Sequence, residues 1–143
     1  MRALIRKMRE EDIDQVMNIW LNVNLCAHDF IHQEYFINHF SFVKEEIKKA
    51  KIYVYEYGDL IQGFAGITGT YIAGIFIREE SQRKGFGKKL LDFLKKRYQE
   101  LSLEVYEKNT GAVKFYLRED FKIIEKYIDQ DTNEVEYLMK WNR

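Results

Sequence analysis

The chain has 143 residues, 46% of them hydrophobic and 15% aromatic, with 23 Lys plus Arg balanced by 23 Asp plus Glu. That length and apolar content predict one globular domain over residues 1–143, and the zero net charge leaves no overall basic field to recruit nucleic acid or an anionic membrane. The single cysteine, Cys26, excludes an internal disulfide and a Cys-rich zinc site, and with no signal-peptide pattern and no run of ~20 apolar residues the expected setting is the cytoplasm.

Residues 3–8 read as a short strand. The stretch that follows, "EEDIDQVMNIWLNVNL", places Ile13, Val16, Met17, Trp20 and Leu21 on one helical face, with acidic residues in its first turn where the helix dipole favours them. A second helix is expected over about 33–50 with Tyr35, Phe36, His39, Phe40, Val43 and Ile47 inward. "KIYVYEYGDLIQGFAGI" reads as a hairpin turning at Gly58-Asp59, and "TYIAGIFI" at 70–77 as a central strand because it is almost continuously apolar. A glycine loop then leads into a helix from about 86 to 98. "LSLEVYE" is a further strand, "TGAVKFYLRE" a short helix, and "FKIIEKYI" with "EVEYLMKW" a closing hairpin across "DQDTN". The order βααβββαβαββ predicts an α/β sandwich: a mixed, mostly antiparallel sheet of six to seven strands flanked by four helices.

The loop "SQRKGFGKKLL", Ser81 to Leu91, sets Gly85 and Gly87 among cations ahead of the helix. Strand, glycine loop, helix is an arrangement that aims free backbone N–H groups and the positive end of the helix dipole at one point, which suits an anion. A Walker loop needs four residues between its glycines and a hydroxyl after the lysine; here one residue separates them and Lys89 follows Lys88. A dinucleotide fingerprint needs a third small residue where Leu90 stands. A loop that only turns the chain remains an alternative on these residues alone.

More of the chain speaks to a third reading. "IFIREESQRKGFGKKLL", with Gln82, Gly85 and Gly87, resembles the acetyl-CoA pyrophosphate loop of the GNAT N-acetyltransferases, and "NTGAVKFYLREDF" resembles that family's second motif, through Asn109, Ala112, Phe115, Tyr116 and Phe121. The resemblance covers essentially the whole chain, and "LEVYEKN" with the Trp-containing last strand is similar to the YiaC-like bacterial lysine acetyltransferases. One departure is Asp120, where the family usually has glycine before the final Phe; Asp tolerates a left-handed helix end better than most residues.

The resemblance implies acetyl-CoA as cosubstrate, with no metal. Its pyrophosphate would meet the amides around Gln82, Arg83, Lys84, Gly85, Phe86, Gly87 and Lys88, with Asn109 nearby, and its pantetheine arm would pair with the strand edge at Ile75, Phe76 and Ile77. Tyr116 would be the general acid for the leaving thiolate and Glu104 the carboxylate base. The acceptor it implies is an amine: a protein lysine first, then a protein N-terminus or a small amine such as a polyamine or antibiotic. His28, Phe30 and Tyr71 are candidates for acceptor contact, with ordinary packing the competing reading. A monomer or weak homodimer is expected.

Other functions compete for the same residues. His28 and His32, four apart, suit zinc only with a third ligand that the sequence does not offer. Cys26 has no motif to support an acyl-carrying role and reads as a buried small hydrophobe. A CoA-binding module without catalysis and a nucleotide hydrolase complete the alternatives.

Overall fold

The computed structural model describes residues 2–143. In chain order the elements are β1 (Ala3–Lys7), α1 (Ile13–Ala27), α2 (Gln33–Lys49), β2 (Lys51–Tyr57), β3 (Leu60–Thr68), β4 (Tyr71–Ile77), α3 (Phe86–Arg97), β5 (Glu100–Tyr106), α4 (Thr110–Arg118), β6 (Lys122–Asp129) and β7 (Glu134–Asn142). The strands form one sheet in the order β1-β2-β3-β4-β5-β7-β6, antiparallel at every pairing except β4 with β5. The expected order of elements and the mixed, mostly antiparallel sheet are both present.

Each face of the sheet carries its own core. Against one face, α3 packs Phe86, Leu90, Leu91 and Leu94, spaced to share a helical stripe, onto Tyr55, Ile67, Ile72, Leu101 and Leu103, with Tyr116 and Phe121 completing the layer. Its last turn carries Lys95, Lys96 and Arg97, where the helix dipole favours positive charge. Against the other face, α1 buries Val16, Met17, Ile19 and Trp20 onto Ile52, Val54, Ile61 and Phe64. The second helix departs from its expected pattern. Only Phe36 and Ile47 are fully buried, while Tyr35, His39, Phe40 and Val43 stay half-buried, because several of them border a cavity instead of a packed sheet.

The turns follow backbone rules. Gly58 and Asp59 both have φ of 63°, as a two-residue hairpin of type I′ demands. Asp120 takes φ 71° at the end of α4, where Phe121 N–H reaches Tyr116 O at 3.0 Å and Asp120 N–H reaches Leu117 O at 3.2 Å; the expected left-handed end survives without glycine. Among the described residues no helix is long and apolar enough to cross a membrane.

Candidate active site

The site originates in an irregularity of β4. Gly66 on β3 pairs with Gly74, but the neighbouring Ile67 pairs with Ile72, so Ala73 is an extra residue on β4. A bulge of this kind bends its strand and strengthens its twist. On the other side of β4, pairing with β5 runs only through Tyr71↔Ser102 and Ile72↔Leu103, and then the strands part. Arg78 N–H bonds Gln62 O on β3 at 2.8 Å, so alternation turns the polar groups of Ile75 and Ile77 towards the opened edge and those of Phe76 towards β3. The expected strand edge is therefore present at Ile75 and Ile77, whereas Phe76 contributes its ring, stacked on Phe64 at 4.9 Å.

The gap continues into a cavity of about 800 Å³ roofed by α2 and floored by β4, β5 and β7. Tyr71, Ile75, Glu104, Tyr106, Asn109, Tyr116 and Glu136 are among its lining residues.

The glycine loop lies where β4 ends. Gly85 caps α3 with φ 83°, and Arg83 also takes a positive φ of 65°. Among the described residues, the N–H groups of Arg83, Lys84, Gly85, Phe86, Gly87 and Lys88 find no acceptor within the chain. Together with the start of α3 they make a cradle for an anion. Gln82 does not share in it: its N–H points to Glu79 O at 3.3 Å and its side-chain amide donates to Ile77 O at 3.0 Å, bracing the loop against the strand. The Phe86 ring is core, stacked on Tyr55 at 4.5 Å, so only its backbone faces the cradle. Lys88 is ion-paired with Glu119 at 3.1 Å and Asp92 at 3.4 Å.

The second motif carries Tyr116 into the cavity. Asn109 caps α4 through its side-chain oxygen, which accepts from Ala112 N–H at 3.3 Å, and its Nδ2 donates to His28 Nε2 at 3.0 Å. On the other side of the imidazole, Nδ1 meets Asn24 Oδ1 at 2.9 Å, and Asn24 Nδ2 donates to Trp20 O at 2.8 Å. That order of donors requires a neutral His28 with its proton on Nδ1. Burial pushes its pKa down to about 4 in agreement. Tyr116 itself is 7% exposed, and its hydroxyl has no partner among the described residues. Burial holds its phenol well above the usual range, so it stays protonated.

One wall of the cavity is acidic. Tyr71 donates its hydroxyl to Glu104 Oε1 at 2.8 Å. Glu136, on β7 opposite Tyr106, is half-buried, and burial first, then the charges of Glu104 and Asp129, push it up to about 7.

Comparison with known proteins follows the same lines. Residues 9–134 match the family model described as "Acetyltransferase (GNAT) domain". The chain belongs to the GNAT acetyltransferase family. It is 28% identical over 140 residues to the peptidyl-lysine N-acetyltransferase YiaC of Escherichia coli, covering 96% of each chain. It superposes on the solution structure of apo-form YjaB from Escherichia coli with a TM-score of 0.88, at 25% identity over 99% of this chain and 98% of that one. It also superposes on the PaiA N-acetyltransferase of Thermoplasma acidophilum in complex with coenzyme A with a TM-score of 0.80, at 19% identity over the full length of both. The chain is thus an acetyl-CoA-dependent N-acetyltransferase.

Within this GNAT domain several sequence expectations change. His28 borders the cavity but spends both ring nitrogens on Asn24 and Asn109, tying α1 to α4. Phe30 is outside the lining; it packs edge-on against His28 at 5.6 Å and Tyr106 at 5.7 Å. Cys26 is exposed, because Trp20 and Asn24 take the inward positions at the end of α1 and leave it on the outer side. Gly87 needs no unusual φ, and a Cβ there would meet only Ile77 and Phe115 at 3.8 Å, so the fold itself would accept a side chain at this position. Glu136, Tyr106, Tyr35 and Asn24 are site residues that no motif indicated. A glutamate alternating with apolar residues in "EVEYLMKW" was the available signal for the first.

The two shifted groups make opposed contributions to stability. His28 falls from 6.5 to about 4 on folding, so its contribution is present above the higher value and lost as pH falls towards the lower. Glu136 rises from 4.5 to about 7, so its contribution is present below the lower value and lost as pH rises through the higher. The slopes oppose across the overlap. Relative to wild type, His28→Gln should gain roughly 2–3 kcal/mol of stability as pH falls from about 6.5 to about 4, and Glu136→Gln should lose a similar amount between about 7 and about 4.5. Urea midpoints measured across this range check it, and parallel profiles for all three proteins would refute it.

Proposed function

We propose that residues 1–143 work as one acetyltransferase domain that moves the acetyl group of acetyl-CoA directly to a primary amine, first of all a protein lysine side chain, in a ternary complex. One arrangement supports this reading: the open edge of β4 at Ile75 and the Tyr116 residue border one cavity, and the unpaired amides from Arg83 to Lys88 follow where β4 ends. Bound acetyl-CoA supplies an activated thioester. The amides and the start of α3 suit its diphosphate, and the edge of β4 suits the amide-containing arm. A backbone N–H of β4 is placed to support the carbonyl oxygen as it gains charge, and Tyr116 donates a proton to the departing sulfur.

The acceptor side supports a cationic substrate. Glu104, Glu136 and Asp131 border the cavity, and no lysine or arginine is among its lining residues. Lysine is also the acceptor in the names of YiaC and YjaB. A protonated Tyr116 hydroxyl without an internal partner favours catalysis over a module that only binds coenzyme A. The exposed thiol of Cys26 suits a reducing cytoplasm.

A thiol-release assay with acetyl-CoA and a panel of lysine peptides, N-terminal peptides and polyamines tests the reading. Turnover led by lysine peptides is expected, with mass spectrometry placing the acetyl group on the side-chain nitrogen. Tight binding of coenzyme A with no turnover on any amine would leave only the binding module.

A further inference from the structure

Glu136 stands at a meeting of three strands. It pairs across β7–β5 with Tyr106 and across β7–β6 with Tyr127, and Glu104, whose own partner on β7 is Leu138, is its diagonal neighbour on the same face. The neighbouring carboxylates are held by hydroxyl donors: Glu104 by Tyr71 at 2.8 Å, and Asp129 by Tyr106 at 2.9 Å and Thr132 at 3.1 Å. The Glu136 side chain makes no hydrogen bond or ion pair among the described residues, yet it is half-buried and borders the same cavity as Tyr116.

We propose that Glu136, and not Glu104, takes the proton from the acceptor ammonium, while Glu104, fixed by Tyr71, anchors that ammonium at the mouth of the cleft. This rests on the acetyltransferase reading above. An N–H bond of R–NH3⁺ breaks and an O–H bond forms on Glu136, freeing the nitrogen lone pair. As the C–N bond forms and the C–S bond breaks, the sulfur takes the Tyr116 proton and the surplus proton on nitrogen restores the phenol. The proton on Glu136 leaves to solvent.

The surroundings explain why Glu136 is the one to accept. Facing it are Glu104 and Tyr106 from β5, Tyr127 and Asp129 from β6, Asp131 from the turn, Tyr71 from β4 and Tyr35 and His39 from α2. No lysine or arginine in the lining offsets the acidic charge. A hydroxyl donor holds each neighbouring carboxylate, whereas the Glu136 side chain has none, and burial beside Glu104 and Asp129 disfavours its charged form. A base titrating near neutral pH is matched to the conditions in which it works.

The test compares wild type, Glu136→Gln and Glu104→Gln in kcat/KM for a lysine peptide from pH 5.5 to 10, and in NMR titration of ¹³C-labelled glutamate carboxyls in the protein alone. Wild type should show an inflection near 7. Glu136→Gln should lose that inflection and about 10- to 100-fold of activity at neutral pH, the deficit shrinking towards pH ~10 as the amine deprotonates by itself. Glu104→Gln should raise KM and keep an inflection, moved to lower pH. In the NMR, one carboxyl should titrate near 7, vanish in Glu136→Gln and move to lower pH in Glu104→Gln. A wild-type pH profile in Glu136→Gln, or no carboxyl titrating above about 6, overturns the assignment of the base. The NMR behaviour as expected, with wild type inert towards every amine, overturns instead the acetyltransferase reading on which it rests.

Discussion

Tyr116→Phe is expected to lower kcat for acetyl transfer by about 10²–10⁴ while the Kd for coenzyme A stays within about twofold. The ring is 7% exposed and sits between Phe115 and Phe121, at centroid distances of 5.1 and 5.5 Å. Phenylalanine fills the same space. The hydroxyl bonds nothing among the described residues, so deleting it orphans no partner and should not disturb the fold. What is lost is a donor that burial keeps protonated well beyond neutral pH. Thiol release under saturating substrates, with calorimetry for coenzyme A, separates chemistry from binding. Wild-type turnover in the variant would reduce Tyr116 to a packing residue.

Gly87→Asp should move binding and stability in opposite directions. Position 87 lies in the first turn of α3, where a carboxylate interacts favourably with the helix dipole, so the melting temperature should hold or rise. Its Cβ meets only ordinary contacts with Ile77 and Phe115. The same carboxylate would stand at the mouth of the amide cradle and oppose a diphosphate. Like charges at such short range cost several kcal/mol, which means a rise in the Kd for coenzyme A of roughly 100-fold or more. Unchanged affinity would show that the diphosphate sits elsewhere. By contrast, Gly85→Asp would confound the two effects, because φ there is 83°.

The sequence carried the fold through strong local patterns. The stripe of α3, the Gly58-Asp59 turn and the apolar run of β4 each have one reasonable conformation, and together they fixed the whole order of elements. The loop and Tyr116 were legible because motif spacing records them directly. Glu136 was not, because β7 lies between β5 and β6 in the sheet. A hairpin reading brings β7 beside β6 but does not reveal that Glu136 comes to rest next to Glu104, 32 residues away in the chain. Asn24 was hidden for a related reason. Its partner His28 is local, but the far end of that relay is Asn109, which only the tertiary fold brings near. Cys26 misled because its hydrophobic character suggested burial, whereas its place on the turn of the helix decided the matter.

Ala73 has a consequence for anyone comparing or redesigning this strand. Tyr71 and Phe76 are an odd number of positions apart and still border the same chamber, while Ile72 is buried in the layer under α3. A chain shorter by that single alanine would regain perfect two-step parity and lose the reason for its neighbours to diverge. Removing it should extend the pairing of β4 with β5 and narrow the way into the cavity.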